Sequence, residues 1–274
     1  PLMWKAPEET GGLLDLVFRF TSEDWGANVP VRTASSALGI EGGSKGLEPR
    51  KAVLETCLCS LFGRPVTLES SGIVLTDPSV EMAGELILHF LDGREQAIHS
   101  LRGIYSLSLL NDLDRVSHIT TAASRILLIE NKKTSLPLLA ARNDNGSTLL
   151  LTCSFPNRAV LRLLELLPSA LPVYHFGDTD PAGFLILAKI REQTGRSIVP
   201  FLMHYRQGKA LAKLTEYDRR VLPGLLKNRW LEDVQSELEK MHESQDKGMF
   251  EQETWGMPDL PGWPFYTVAI ASVD

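Results

Sequence analysis

No apolar run in this sequence approaches the roughly 20 residues that a membrane-spanning helix needs, so readings that require such a helix drop out. Cysteine is scarce: Cys57, Cys59 and Cys153 are the only three, with no C-x-x-C pair among them. An odd count without that spacing excludes a disulfide framework and a zinc ribbon, and implies buried free thiols in a reducing cytoplasm. Positive charge is not in excess either, since 28 Lys and Arg stand against 34 Asp and Glu for a net charge of -6. A nucleic-acid binder usually shows a basic balance, so contact with DNA would have to come from a local basic groove. H-E-x-x-H is missing, which removes the zinc-protease reading. Gly39 to Gly46 is glycine-rich but lacks G-x-x-x-x-G-K-[ST], which removes ATP binding of the P-loop kind. Internal repeats and low-complexity tracts are absent. The start, Pro1-Leu2-Met3-Trp4-Lys5, has no initiator Met and no signal-peptide pattern, as expected of a trimmed chain or a piece of a longer one.

What is present is an ordinary globular composition, 43% hydrophobic and 23% charged over 274 residues, enough for one large or two modest domains. Residues 1–50 are rich in Gly and Pro, and 1–45 read as partly irregular, with Leu13 to Phe20 as a short strand or helix. Apolar residues at helical spacing predict a helix over 50–62, stopped by Gly63-Arg64-Pro65. Helices are also expected over 80–91 and 97–113, separated by an Asp92-Gly93 turn. The pattern changes near residue 118. Ile126 to Ile129, Leu149 to Thr152, Pro172 to Phe176 and Ile198 to Leu202 read as strands buried on both faces. Helical stretches over 156–167 and 181–195 lie between them, each opening on a proline that a first turn accepts. This alternation predicts an α/β domain over 118–274, a parallel sheet flanked by helices, behind a mainly helical region over 1–117. Residues 215–246 read as charged and helical, with a Thr215/Asp218 capping box, and the last thirty or so residues as an irregular tail.

Two strand ends carry chemistry. Ile126-Leu127-Leu128-Ile129-Glu130-Asn131 puts a carboxylate at the carboxyl end of a buried strand, where ligands of open α/β sheets gather. Phe176-Gly177-Asp178-Thr179-Asp180-Pro181 puts two carboxylates at the end of another, ahead of a helix. Hard cations such as Mg²⁺ take carboxylate oxygens together with substrate phosphates, and two close aspartates repel unless neutralised. One of the pair could instead simply cap the helix. An Asp-nucleophile phosphatase would carry its pair after the first strand of the fold, not the third. His175 reads as a core histidine. Lys132, Lys133, Arg158, Arg162, Arg206 and Lys209 are candidates for holding DNA phosphates.

The order Glu, then Asp-x-Asp, with a βα unit between, resembles the Toprim fold of topoisomerases, primases and certain nucleases. The stretch YHFGDTDPAGFLILAKIREQTGRSIVPFLM resembles the Toprim domain of the JetD family, the nuclease subunit of Wadjet anti-plasmid systems, related to the A subunit of topoisomerase VI and its meiotic counterpart. LLIEN resembles the family's Glu-Asn strand end, GSKGLEPRKAVLETCL its helical entry to a winged-helix domain, and MFEQETW its Leu-Glu-Gln-Glu segment. The likeness covers 44–60 loosely and 118–255 well.

The resemblance implies a winged-helix-like DNA-binding region over 1–117 and a Toprim catalytic domain over 118–274. It implies a Mg²⁺ site (Mn²⁺ may substitute) on Glu130, Asp178 and Asp180, with Glu251 and Glu253 as further acidic ligands. It further implies metal-dependent hydrolysis of double-stranded DNA by a homodimer that works with an SMC-like motor complex. By this resemblance the family's N-terminal arm is expected to be shortened or missing here. Relatives that attack DNA with tyrosine do so from the winged-helix domain. The one tyrosine ahead of the Toprim region, Tyr105, reads as part of a helix face, which favours hydrolysis over a tyrosyl link. A non-catalytic DNA-binding or assembly subunit with a Toprim shell is the other alternative.

Overall fold

A computed structural model describes residues 7–26, 28–75, 77–143, 146–207 and 212–252. The chain divides into two compact units, 1–78 and 79–274. The expected division was at 117/118, and the difference comes from residues 79–108, which belong to the sheet of the second unit.

The first unit is mainly helical. Helix α1 (Pro7–Ser22) takes in the stretch from Leu13 to Phe20 that sequence alone left between strand and helix. A two-residue strand β1 (Val29–Pro30), helix α2 (Val31–Ala37), helix α3 (Lys51–Phe62) and strand β2 (Ile73–Val74) follow, with β1 parallel to β2. Gly63, at φ +64°, ends α3 in the left-handed conformation that glycine adopts without steric cost. Leu16, Phe20, Leu38, Leu47, Leu54, Leu58, Leu68 and Ile73 form the core of this unit.

In the second unit the helices expected over 80–91 and 97–113 are strands. Strand β3 (Ser79–Phe90) and strand β4 (Glu95–Ser108) form an antiparallel hairpin, and only Leu109–Leu113 is helical, as one π turn. Two signals outweigh the helical spacing. Val80, Met82, Leu86 and Leu88 are buried at period two while Ser79 and Ile87 are exposed, the alternation of a half-buried strand. Asp92-Gly93, with Gly93 at φ +84°, is a strong hairpin turn signal. Tyr105 accordingly sits on β4 opposite Met82, exposed, and not on a helix face.

Strand β5 (Val116–Thr120), strand β6 (Arg125–Ile129), helix α4 (Ser135–Ala140), strand β7 (Thr148–Thr152), helix α5 (Arg158–Leu166), strand β8 (Val173–Phe176), helix α6 (Pro181–Thr194) and strand β9 (Ile198–Pro200) follow. Pro181 opens α6, whereas Pro156 lies one residue ahead of Asn157, the N-cap of α5. The seven-stranded sheet runs β4-β3-β7-β6-β8-β9, with β5 sharing an edge of β3. Its β7-β6-β8-β9 part is parallel, as the βα alternation predicts, and β3 is antiparallel to β7.

All five residues of β6 are buried, because both faces of the sheet are covered. Leu127 and Ile129 pack with Leu136 and Leu139 of α4 on one face. Ile126 and Leu128 pack with Val160 and Leu163 of α5 and Phe184 and Leu187 of α6 on the other. Helix α7 (Glu216–Leu225) and helix α8 (Gln235–Ser244) close this second core through Leu222, Leu238 and Met241. Thr215 and Asp218 do form a reciprocal capping box on α7. Among the described residues, no helix is long and apolar enough to cross a membrane. All three cysteines are free. Cys153 is buried as expected, while Cys57 and Cys59 are half-buried on α3. Of the irregular tail expected over the last thirty or so residues, the part after residue 252 lies outside the described residues.

Candidate active site

From β6 the chain crosses to β7 on one side and later returns to β8 on the other. The carboxyl ends of β6 and β8 therefore flank the topological switch point, where loops part and leave a crevice. Glu130 follows β6 and Asp178 follows β8 by two residues. The backbone joins them: the Glu130 N–H donates to Phe176 O at 3.0 Å, and the Asp178 N–H donates to Glu130 Oε2 at 3.1 Å. Both residues are half-buried.

Glycine shapes this corner. A Cβ on Gly177 would stand 2.7 Å from both Glu130 Oε2 and His175 Nε2, and one on Gly183 would stand 2.1 Å from Asp178 O. Neither position has room for a side chain, so the Asp178–Asp180 loop folds directly onto the first turn of α6.

Asp180 does not join the other two carboxylates. Its Oδ1 caps α6 by accepting the Gly183 N–H at 2.9 Å, and its Oδ2 meets Lys247 Nζ at 2.8 Å. The same ammonium lies 3.0 Å from Asp218 Oδ2. The helix-cap role that the motif allowed is thus realised for Asp180. Among the described residues, no three of His, Cys, Asp and Glu are grouped so as to hold one ion.

The segment that sequence brought to the site only through Glu251 and Glu253 crosses the crevice. Thr179 N–H donates to Phe250 O at 2.7 Å, Gln252 N–H donates to Asp178 Oδ1 at 2.8 Å, and Asn131 N–H donates to Gln252 Oε1 at 3.3 Å. Lys247 and Gln252 were not identified from sequence, and Asp218 only as a cap of α7. The only hint was the acidic MFEQETW stretch, whose Glu251 is exposed beside the buried Gln252. Glu253 and Lys209 lie outside the described residues.

The surroundings are buried beneath and basic at the rim. His175 is fully buried, and neither ring nitrogen has a hydrogen-bond partner among the described residues. Burial, with the Arg191 charge adding to it, pushes its pKa down to about 3. Burial, reinforced by the Glu130 charge, pushes the Cys153 thiol up to about 12. Of the basic candidates, Lys132 and Lys133 are exposed directly after Glu130, although Lys132 also meets Glu81 at 3.2 Å. Arg158 is exposed at the start of α5, on the same carboxyl edge. Arg162 is tied to Val116 O at 2.9 Å and Glu165 at 3.0 Å, and Arg206 to Met249 O at 3.1 Å, so these two brace the protein itself. Gly42-Gly43-Ser44-Lys45-Gly46 spells the G-x-S-x-G of a nucleophile elbow, but it forms a 3-10 turn at Gly43–Lys45 and not a strand-to-helix corner.

Fold and crevice define an open-sheet α/β protein with carboxylates gathered at its switch point. Residues 86–260 match the family described as Wadjet protein JetD, C-terminal. The chain belongs to this family, and thereby to the subunits of the Wadjet defence system. The match opens within β3, so it includes most of the hairpin that sequence reading had assigned to the preceding region. No curated protein matches the chain.

Proposed function

We propose that this protein is a Toprim-type, divalent-metal-dependent endonuclease that hydrolyses double-stranded DNA. The observation that carries the reading is the hydrogen bond from Asp178 N–H to Glu130 Oε2, which ties together two strand-end carboxylates at the switch point. Their donor chemistry fits a hard cation such as Mg²⁺ or Mn²⁺, which commonly takes one or two carboxylates and completes its shell with water and phosphate. The buried Gln252 Nε2 and Thr179 Oγ1, without partners among the described residues, leave polar capacity beside them.

Glu130 and Asp178 would hold the cation, which when bound stabilises charge on the phosphate and activates water. The chain's own work is to aim those two carboxylates. The Asp178 amide fixes Glu130, and the Gln252 amide fixes Asp178 Oδ1. Lys132, Lys133 and Arg158 would steer the phosphate backbone to the rim without reading sequence. The exposed Glu251, next to the buried Gln252, would accept a proton at the crevice edge. Tyr105 lies on β4, with β3 and β7 between it and β6, so about 14 Å of sheet at the usual strand spacing separates it from Glu130 within one chain. That separation favours water over tyrosine as nucleophile. A second copy of the chain and an SMC-like motor complex complete the proposed assembly.

The test is plasmid cleavage with Mg²⁺ or Mn²⁺, in the presence of the motor complex, by wild type, Glu130→Ala and Asp178→Asn. Cleavage by wild type alone is expected, with free 5′ ends and no protein–DNA adduct. Equal cleavage by all three, or a covalent tyrosyl adduct, would refute the assignment.

A further inference from the structure

We propose that Lys247 is a positioning residue: its ammonium stands at Asp180 in place of a metal and fastens residues 247–252 across the crevice. The proposal rests on the reading above for the roles of Glu130 and Asp178.

Charge balance comes first. Asp180 caps α6 and Asp218 caps α7, and Lys247 Nζ lies 2.8 Å from one and 3.0 Å from the other. The three side chains are 11%, 8% and 2% exposed for Lys247, Asp180 and Asp218, so water does little to screen them. Each helix N-terminus contributes about half a positive charge. Two carboxylates, one ammonium and two helix ends then come close to neutrality, with no charge left for an ion to compensate. A divalent cation on Asp180 would meet the Lys247 ammonium as a like charge at hydrogen-bond range. The Asp-x-Asp pair is therefore divided, with Asp178 facing the crevice cation and Asp180 serving the fold.

Anchoring comes second. Lys247 N–H donates to Ala212 O at 2.7 Å, and Gly248, at φ +60°, packs so tightly on Arg206 that a Cβ there would lie 2.2 Å from its carbonyl oxygen. From this fixed start the chain passes to Phe250 O, which accepts the Thr179 N–H, and to Gln252, whose amide holds Asp178 Oδ1. The Lys247 side chain reaches back to the far end of the same loop at Asp180, and its Nζ lies 4.9 Å from the Phe250 ring centroid. Loop and segment are thus pinned at both ends, by the Lys247 ammonium shared between Asp180 and Asp218 and by the Gln252 amide on Asp178.

Hydrogen exchange and Mn²⁺ calorimetry on the full chain test this. Wild type should bind one Mn²⁺, and Asp180→Asn should keep that affinity within about threefold because Asn caps a helix nearly as well as Asp. Asp178→Asn should lose it. In Lys247→Met, the Thr179 and Gln252 amides should exchange on the order of tenfold faster or more, as a local opening would allow. A second Mn²⁺ should also bind, and the double variant Lys247→Met/Asp180→Asn should not bind it. Loss of Mn²⁺ binding in Asp180→Asn, or unchanged exchange in Lys247→Met, would overturn the proposal. Should wild type bind no Mn²⁺, the cation reading fails while exchange at the two amides still decides whether Lys247 anchors the segment. If Lys247→Met does not fold, the double variant, which removes one acid with the base, takes its place, with Asp180→Asn as reference.

Discussion

Acidification from pH 7 to pH 5 should cost the second unit about 2 kcal/mol through His175 alone. In the folded chain this imidazole is fully buried without a partner for either ring nitrogen among the described residues, and it stays neutral down to about pH 3. In the unfolded chain it titrates at the ordinary value of about 6.5. A depressed folded pKa stabilises the fold fully above the unfolded value, and that stability drains away as pH falls toward the folded one. Between those limits the unfolded state gains a proton that the native state refuses, and the slope is about 1.4 kcal/mol per pH unit. Most of one unit and a half lies between pH 6.5 and pH 5, hence the figure of about 2 kcal/mol. Urea unfolding at several pH values would measure it, with His175→Leu as comparison because an apolar side chain of similar reach removes the titration. The variant's stability should fall about 2 kcal/mol less than wild type over the same interval. Parallel pH profiles for the two proteins would refute the reasoning.

Two further outcomes follow from packing at the same corner. Gly177→Ala places a methyl between the buried His175 ring and the Glu130 carboxylate, and the carboxylate is the more movable of the two. Calorimetry should find Mn²⁺ affinity reduced by about tenfold or more while stability falls only about 1–2 kcal/mol; unchanged affinity would remove Glu130 from the cation site. Iodoacetamide at pH 8 should label Cys57 and Cys59 in the native chain and leave Cys153 untouched until denaturant is added, because burial holds its thiol near pKa 12. Native labelling of Cys153, read by mass spectrometry, would contradict that.

The parallel half of the sheet was legible because each of its strands is a short continuous apolar run, and a strand covered on both faces needs nothing else. Ile126–Ile129 and Leu149–Leu151 leave no polar face to expose, and a proline beside or inside the next helix start limits the alternatives. The β3–β4 hairpin was misread because its residues also satisfy helical spacing. Leu86, Ile87, Leu88 and Phe90 fit a helix face as well as a strand, and the choice is made by long-range pairing with β5 and β7, which no local window contains. The site was legible in the same proportion. Glu130 and Asp178 stand at strand ends, which sequence marks. Lys247 and Gln252 arrive from 67 and 74 residues further on, and neither belongs to a spacing that would announce it.

The Asp-x-Asp spacing makes sense of this division. Four residues, Gly177 to Asp180, separate the end of β8 from the start of α6, so the two carboxylates fall to different elements. The first still belongs to the strand end and its crevice, while the second already belongs to the helix. Asp178 keeps its backbone N–H for Glu130, and Asp180 gives an oxygen to Gly183 and the other to Lys247. Gly177 and Gly183, neither with room for a Cβ, let both tasks be met within one short loop. On the proposed reading, an acidic pair that looked like two ligands for one ion is one carboxylate for the cation and one for the helix start.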